Sequence, residues 1–172
     1  MQKKSHPFWR FSLRIYAEPG VAQACLALQD ECAADVNLLL FCCWRGSLGH
    51  LLNQRFLRKA NRTLADWQRQ VVQPLRQARR NIEKEISSLP LKLGRQLHKQ
   101  ITSTELDAEY LEQLQLARFA ADNSSAFRKF APAVAVASNL RSYCESLRIP
   151  PESGLWRHAE VLLSVCRADP SA

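Results

Sequence analysis

The stretch TLADWQRQVVQPLRQARRNIEKEISSL, residues 63–89, decides the fold class. Its apolar side chains fall at Leu64, Trp67, Val71, Leu75, Ala78, Ile82, Ile86 and Leu89, in steps of three and four. That is the spacing of one face of an α-helix and not the alternation of a strand. Thr63 stands where a helix N-cap belongs. The pattern repeats every eleven residues, close to three straight helical turns. Pro74 is the discordant residue, because it removes a backbone donor inside the run and predicts a kink or a break there. At 100° per residue, Arg62, Arg69, Arg76, Arg80 and Lys84 gather in a sector opposite the apolar stripe.

Working outward in both directions, the rest of the chain also reads as helix. Pro7 suits a first helical turn, followed by Phe8, Phe11, Leu13, Ile15 and Tyr16 up to the stop at Pro19-Gly20. A second helix runs from Val21 to Ala34, and Asp35 is placed to cap a nearly all-apolar third, Val36 to Trp44. Gly46 and Gly49 loosen the turn before a shorter helix through Phe56 that ends at Asn61. Beyond Pro90, residues 92–121 read as one bent helix or as two, the second capped at Thr104. Residues 122–125 read as a loop. Pro132 opens another helix, and a last one carries Leu155, Ala159, Leu162 and Cys166. No segment alternates with period two between turn dipeptides. The expectation is an all-α, single-domain, orthogonal or bundle-like array of about six to eight helices with no β-sheet, covering 1–172 with an ordered core of about 7–168. Trp9, Trp44, Trp67 and Trp156 each adjoin an apolar run and are expected to be core anchors.

The net charge of +8 is unevenly spread: residues 45–99 hold thirteen basic side chains against three acidic ones. Such a block suits a surface that meets something anionic. The expected binding face is therefore Arg62, Arg69, Arg76, Arg80 and Lys84, and the expected partner an acidic protein or, alternatively, RNA or the ribosome. Few aromatics interleave with these residues, so a base-stacking platform is not indicated. A second polar group, Gln29, Asp30, Asp35 and Asn37, lies where two apolar helices join. It is read as capping and satisfying a buried corner, in preference to a metal-dependent enzyme site built on Asp30 and Asp35.

Catalytic motifs are lacking: there is no phosphate-binding glycine loop, no Gly-x-Ser-x-Gly and no His-Glu-x-x-His. No catalytic residue, metal ligand or cofactor is assigned. The six cysteines include no Cys-x-x-Cys, and Cys42 and Cys43 are adjacent, so reduced and buried thiols in a reducing, cytoplasmic compartment are expected. Lys3 and Lys4 precede Ser5-His6-Pro7 and not the apolar run of a signal peptide. The longest apolar stretch is about half of what a membrane span needs. The oligomeric state is not legible.

Several spaced motifs together carry a resemblance. Phe8-Trp9-Arg10-Phe11-Ser12, Leu28-Gln29-Asp30, Asp35-Val36-Asn37-Leu38-Leu39 with Trp44, and Val71-Val72-Gln73-Pro74-Leu75-Arg76 with Arg79-Arg80 resemble a family of uncharacterised, mostly helical proteobacterial proteins. Glu105-Leu106 with Glu109 is similar to a weaker third stretch. The likeness covers about residues 8–120 and departs at Glu31-Cys32-Ala33-Ala34, where the family commonly has a glycine before Asp-Val-Asn. It implies a domain of unknown function, with no reaction or substrate. It also marks Asp30, Asp35, Asn37, Arg76 and Arg80 for mutation.

Overall fold

Pro7 supplies the first turn of α1 (Pro7–Tyr16), where its missing N–H is harmless, and the next free amide, Phe8 N, donates to His6 Nδ1 at 3.2 Å. In the computed structural model, which describes residues 4–88, 90–123 and 127–168, α2 (Val21–Cys32) and α3 (Val36–Ser47) follow. Asp35 caps α3 as expected, accepting from Leu38 N at 3.1 Å. Then come α4 (Gln54–Trp67), a π-helical turn (Gln68–Val72), α5 (Gln73–Glu85), α6 (Leu91–Asp122), α7 (Pro132–Ser146) and α8 (Trp156–Ala168). Leu89, Ser124, Ser125 and Lys3, which entered the sequence reading, lie outside the described residues.

The all-α class holds, and α4, the π turn and α5 run on as one helix, which makes seven among the described residues. Three local expectations are corrected. The helix expected to end at Asn61 continues, and Thr63 is not a cap: it lies inside α4, with its hydroxyl donating to Lys59 O at 3.0 Å. Of the two alternatives for residues 92–121 the single helix holds: Thr104 lies inside α6, 32 residues long, and its hydroxyl donates to Gln100 O. The expectation of no sheet fails in one small place. β1 (His50–Leu51) pairs antiparallel with β2 (Arg128–Lys129), in the register His50 to Lys129. Gly49, at φ +77°, makes the bend into β1, and its carbonyl accepts from Phe130 N at 2.8 Å.

Pro74 neither breaks nor ends the helix. Its ring would collide with the carbonyl four residues back, and the chain widens just before it. Gln73 N donates to Gln68 O, five residues back, which admits one extra residue in that turn. One extra residue rotates everything downstream by about 100°. The single stripe drawn from residue 64 to 89 is therefore two stripes out of phase. Leu64 and Val72 are buried, whereas Leu75, Ala78, Ile82 and Ile86 are only half-buried.

The core centres on α3, buried along most of its length, with Phe8, Phe11 and Ile15 of α1 on one side and Val136, Leu140 and Tyr143 of α7 on another. Phe8 stacks on Trp44 with ring centres 5.0 Å apart and meets Phe41 edge-on. Of the four tryptophans, Trp9 is buried, and Trp44, Trp67 and Trp156 are half-buried. Gly46 is not a loosened turn but lies inside α3, where the backbone of α7 comes close to it. A Cβ there would stand 2.6 Å from Val136 Cα and 2.7 Å from its backbone nitrogen. Backbone cannot yield as a side-chain tip does, so Gly46→Ala is expected to cost about 1–3 kcal/mol. Thermal unfolding should show this as a midpoint lowered by about 2–4 °C per kcal/mol, and an unchanged midpoint would mean that the two helices part freely.

All six cysteines are free thiols; five are buried and Cys32 is half-buried. Burial pushes Cys25 up to about 12 and Cys144 up to about 11, so neither is a ready nucleophile near neutral pH. No helix among the described residues is long and apolar enough to cross a membrane.

Candidate functional site

Helix α6 carries Glu105, Glu109 and Glu112 at spacings of four and three, which puts all three on one face. α5 runs antiparallel to it, as the pairs Glu83 with His98, Arg79 with Glu105 and Arg76 with Glu109 show. Arg79 grips Glu105 with two nitrogens, Nε at 2.6 Å and Nη2 at 3.4 Å. Arg76 divides itself between Glu105 (Nε, 3.4 Å) and Glu109 (Nη2, 3.0 Å). Contact with Glu105 holds the Arg79 guanidinium above its ordinary value. Burial raises Glu109, opposed by the neighbouring Arg76.

One turn further along α6 the polar face goes under the core. Glu112 is fully buried and accepts from Asn37 Nδ2 at 2.7 Å and from Gln68 Nε2 at 2.7 and 2.8 Å. Gln113 donates to Asn37 Oδ1 and faces Ser12, whose hydroxyl lies 3.3 Å from its Oε1. Asp35 stands beside Glu112. Its Oδ1 serves as the helix cap, while its Oδ2 is buried without a donor from the rest of the described chain. A proton on Glu112 provides that donor. Burial and the adjacent Asp35 charge push Glu112 up to about 9, so it keeps its proton at neutral pH. Tyr143 completes the corner, its oxygen accepting from Asp35 N at 2.8 Å and donating to Asp35 O at 3.3 Å.

Between α1, α2, α3, α5 and α6 lies a cavity of about 350 Å³. Arg76, Arg79, Glu105 and Glu109 line its charged side, and Asn37 and Gln113 also reach it. Leu13, Leu26 and Leu106 line it too, although they are 53%, 43% and 42% exposed.

The structure does not keep the expected site residues together. Arg76 turns inward, with its side chain 17% exposed and held by two carboxylates, so its placement on an outward basic face is corrected. The π turn is the reason, since it rotates α5 relative to α4. Arg80 pairs with Asp30 at 3.0 Å, and that contact pulls Asp30 below the usual carboxylate range. Arg69 pairs with Asp66 at 2.8 Å in the open. Arg62 and Lys84 are exposed and make no ion pair among the described residues. In the polar corner, Asn37 is buried, Asp35 and Gln29 are half-buried with Gln29 on the wall of the cavity, and Asp30 is exposed, its Oδ1 accepting from Gln29 Nε2 at 3.4 Å. Asp30 and Asp35 thus face different environments, and no group of three or more His, Cys, Asp or Glu among the described residues is arranged to hold a metal ion.

Sequence reasoning missed Arg79, Glu105, Glu109, Glu112 and Gln113 as one constellation. The signal was present in the acidic stripe on α6, which matches the spacing of Arg76 and Arg79 on the neighbouring helix. What hid it was the phase shift at residues 68–72.

No curated protein and no solved structure matches this chain. A family model does match it, over residues 7–116, a span that contains every residue lining the cavity and both Asp35 and Glu112, but not Tyr143. The chain belongs to the family described as "Protein of unknown function (DUF2390)".

Proposed function

We propose that this protein is a non-enzymatic, cytoplasmic interaction protein that docks on an acidic protein surface through a basic helical face. The observation that carries the reading is on α4. Arg55, Arg58, Lys59 and Arg62 follow the spacing of one helix side, all are exposed, and none makes an ion pair among the described residues. Arg69 extends the row. Lys59 lies over the Phe119 ring at 5.4 Å and reaches Asn123 Oδ1 at 3.4 Å. A recess of about 550 Å³ opens among Arg55, Lys59, Arg62, Phe56 and Phe119 and is large enough for a carboxylate side chain. Six unbridged thiols support the cytoplasmic setting.

This reading moves the face from α5 to α4 and keeps Arg62 and Arg69 from the expected set. It predicts binding to a polyglutamate peptide that weakens as salt rises, because exposed charges are screened. Changing Arg55, Arg58, Lys59 and Arg62 to Gln removes four exposed charges of about 0.2–1 kcal/mol each, so affinity should fall on the order of tenfold by fluorescence anisotropy. A four-charge control at Lys84, Lys92, Arg95 and Lys99 should change it far less. Equal losses in the two variants would reduce the interaction to net charge. Tighter binding of polyuridylate RNA through the same four residues would make the partner a nucleic acid.

A further inference from the structure

We propose that the 350 Å³ cavity is a binding site for a free zwitterionic amino acid with an apolar side chain. Its volume lies at the small end of the range for small-molecule sites, about 300–1,000 Å³, which suits a ligand of that size better than a nucleotide or a lipid.

The charged side of the cavity sums to neutrality, two guanidinium groups against two carboxylates, so a ligand of single charge would leave an unbalanced group in a half-closed space. The ion pairs are also incomplete. After the contacts to Glu105 and Glu109, Arg76 retains Nη1 and Glu109 retains Oε2 without a partner among the described residues. These leftovers belong to a pair joined at 3.0 Å. A donor of positive charge and an acceptor of negative charge held that close complement a carboxylate and an ammonium on one carbon. A ligand carrying only one of these groups satisfies half of the pair.

The apolar part of the ligand is specified by the opposite wall. Three of the large exposed hydrophobic residues, Leu13, Leu26 and Leu106, come from three different helices and meet at this one cavity. Exposed leucines scattered singly carry little meaning, whereas leucines converging on a charged recess mark a place where apolar surface is to be covered. Trp9 and Tyr16 add aromatic wall. The carboxylate is placed toward Arg76, the ammonium toward Glu109, and the side chain against the leucines. Nothing here depends on the α4 face, so failure of either idea leaves the other standing.

The test is calorimetric titration of the full chain with L-leucine and L-phenylalanine, compared with glycine, 3-phenylpropionate and phenethylamine. The two apolar amino acids should bind, and removing the side chain, the ammonium or the carboxylate should each weaken binding at least tenfold. Leu106→Trp, at an exposed position, should fill the mouth and abolish binding while helical content and unfolding midpoint stay as in the parent. Glu109→Gln should narrow the preference for L-phenylalanine over 3-phenylpropionate, a readout that loss of folding alone would not produce. Absence of heat with both amino acids at millimolar concentration would overturn the proposal. So would equal binding of phenylalanine and its two one-charge analogues, which would make the cavity a plain hydrophobic recess.

Discussion

Asn139→Ala is expected to destabilise the protein by about 3 kcal/mol or more, the sum of several buried backbone groups left without partners. Asn139 is fully buried on α7. Its Oδ1 accepts from Leu52 N at 2.7 Å, and its Nδ2 donates to His50 O at 2.9 Å and Cys42 O at 3.2 Å. One amide thereby ties the middle of α3, whose Cys42 carbonyl also serves its own helix, to the short strand β1 and the entry to α4, where Leu52 N and His50 O depend on it. Alanine removes all three bonds and leaves the backbone atoms in a space closed to water. For a chain of this size the midpoint of thermal unfolding should drop by about 6–12 °C. Asn139→Leu separates the causes: it refills the volume but restores no hydrogen bond, so it should be no better than alanine. If leucine recovers the parent midpoint, packing and not polar satisfaction is what Asn139 provides.

Glu112→Gln should change how stability depends on pH. Glu112 has its ordinary value at 4.5 in the unfolded chain and about 9 when folded, so between those limits the folded protein holds the proton more tightly. Stability from this source is fully present below pH 4.5 and is lost as pH rises toward 9, with a slope of up to about 1.4 kcal/mol per pH unit for one proton. Asp35 and Glu109 are also raised by burial and act in the same direction. Asp30, held low by Arg80, acts oppositely and only in acid. Glutamine at 112 donates permanently to Asp35 and accepts from Asn37 and Gln68, so the variant should match the parent at low pH and exceed it near pH 9. Glu112→Ala should be several kcal/mol worse throughout, because Asn37, Gln68 and Asp35 lose a shared partner. Chemical denaturation at a series of pH values decides the matter, and parallel curves for the parent and Glu112→Gln would show that the pair shares no proton.

The helical class was legible because apolar spacing reports which side of each helix is covered, and the caps at Asp35 and Pro7 are local chemistry. What could not be read depends on partners distant in sequence. Thr63 and Thr104 look like caps in isolation, yet tertiary packing carries the helices through both. The π turn is a response to Pro74 that adds a residue without changing composition, and every position after it is displaced around the axis. The basic stripe failed for that reason: Arg76 meets carboxylates 29 and 33 residues away. Asp35 and Asn37 read as a capping and satisfying corner together with Asp30, but Asn37 bonds Glu112 and Gln113 of α6, whereas Asp30 stands in the open beside Arg80. Gly46 read as part of a loosened turn because nothing nearby in sequence announces Val136.

The reach of α7 across α3 bears on how far shared ancestry and self-sufficiency coincide. The family likeness stops at residue 116, whereas Val136, Leu140, Tyr143, Leu162 and Cys166 of the two last helices fill the same interior as Leu38, Phe41 and Cys42. An excised 7–116 fragment would bare one flank of its most apolar helix, a sticky surface prone to clumping. The span that the family model matches thus leaves out side chains that close the interior around α3.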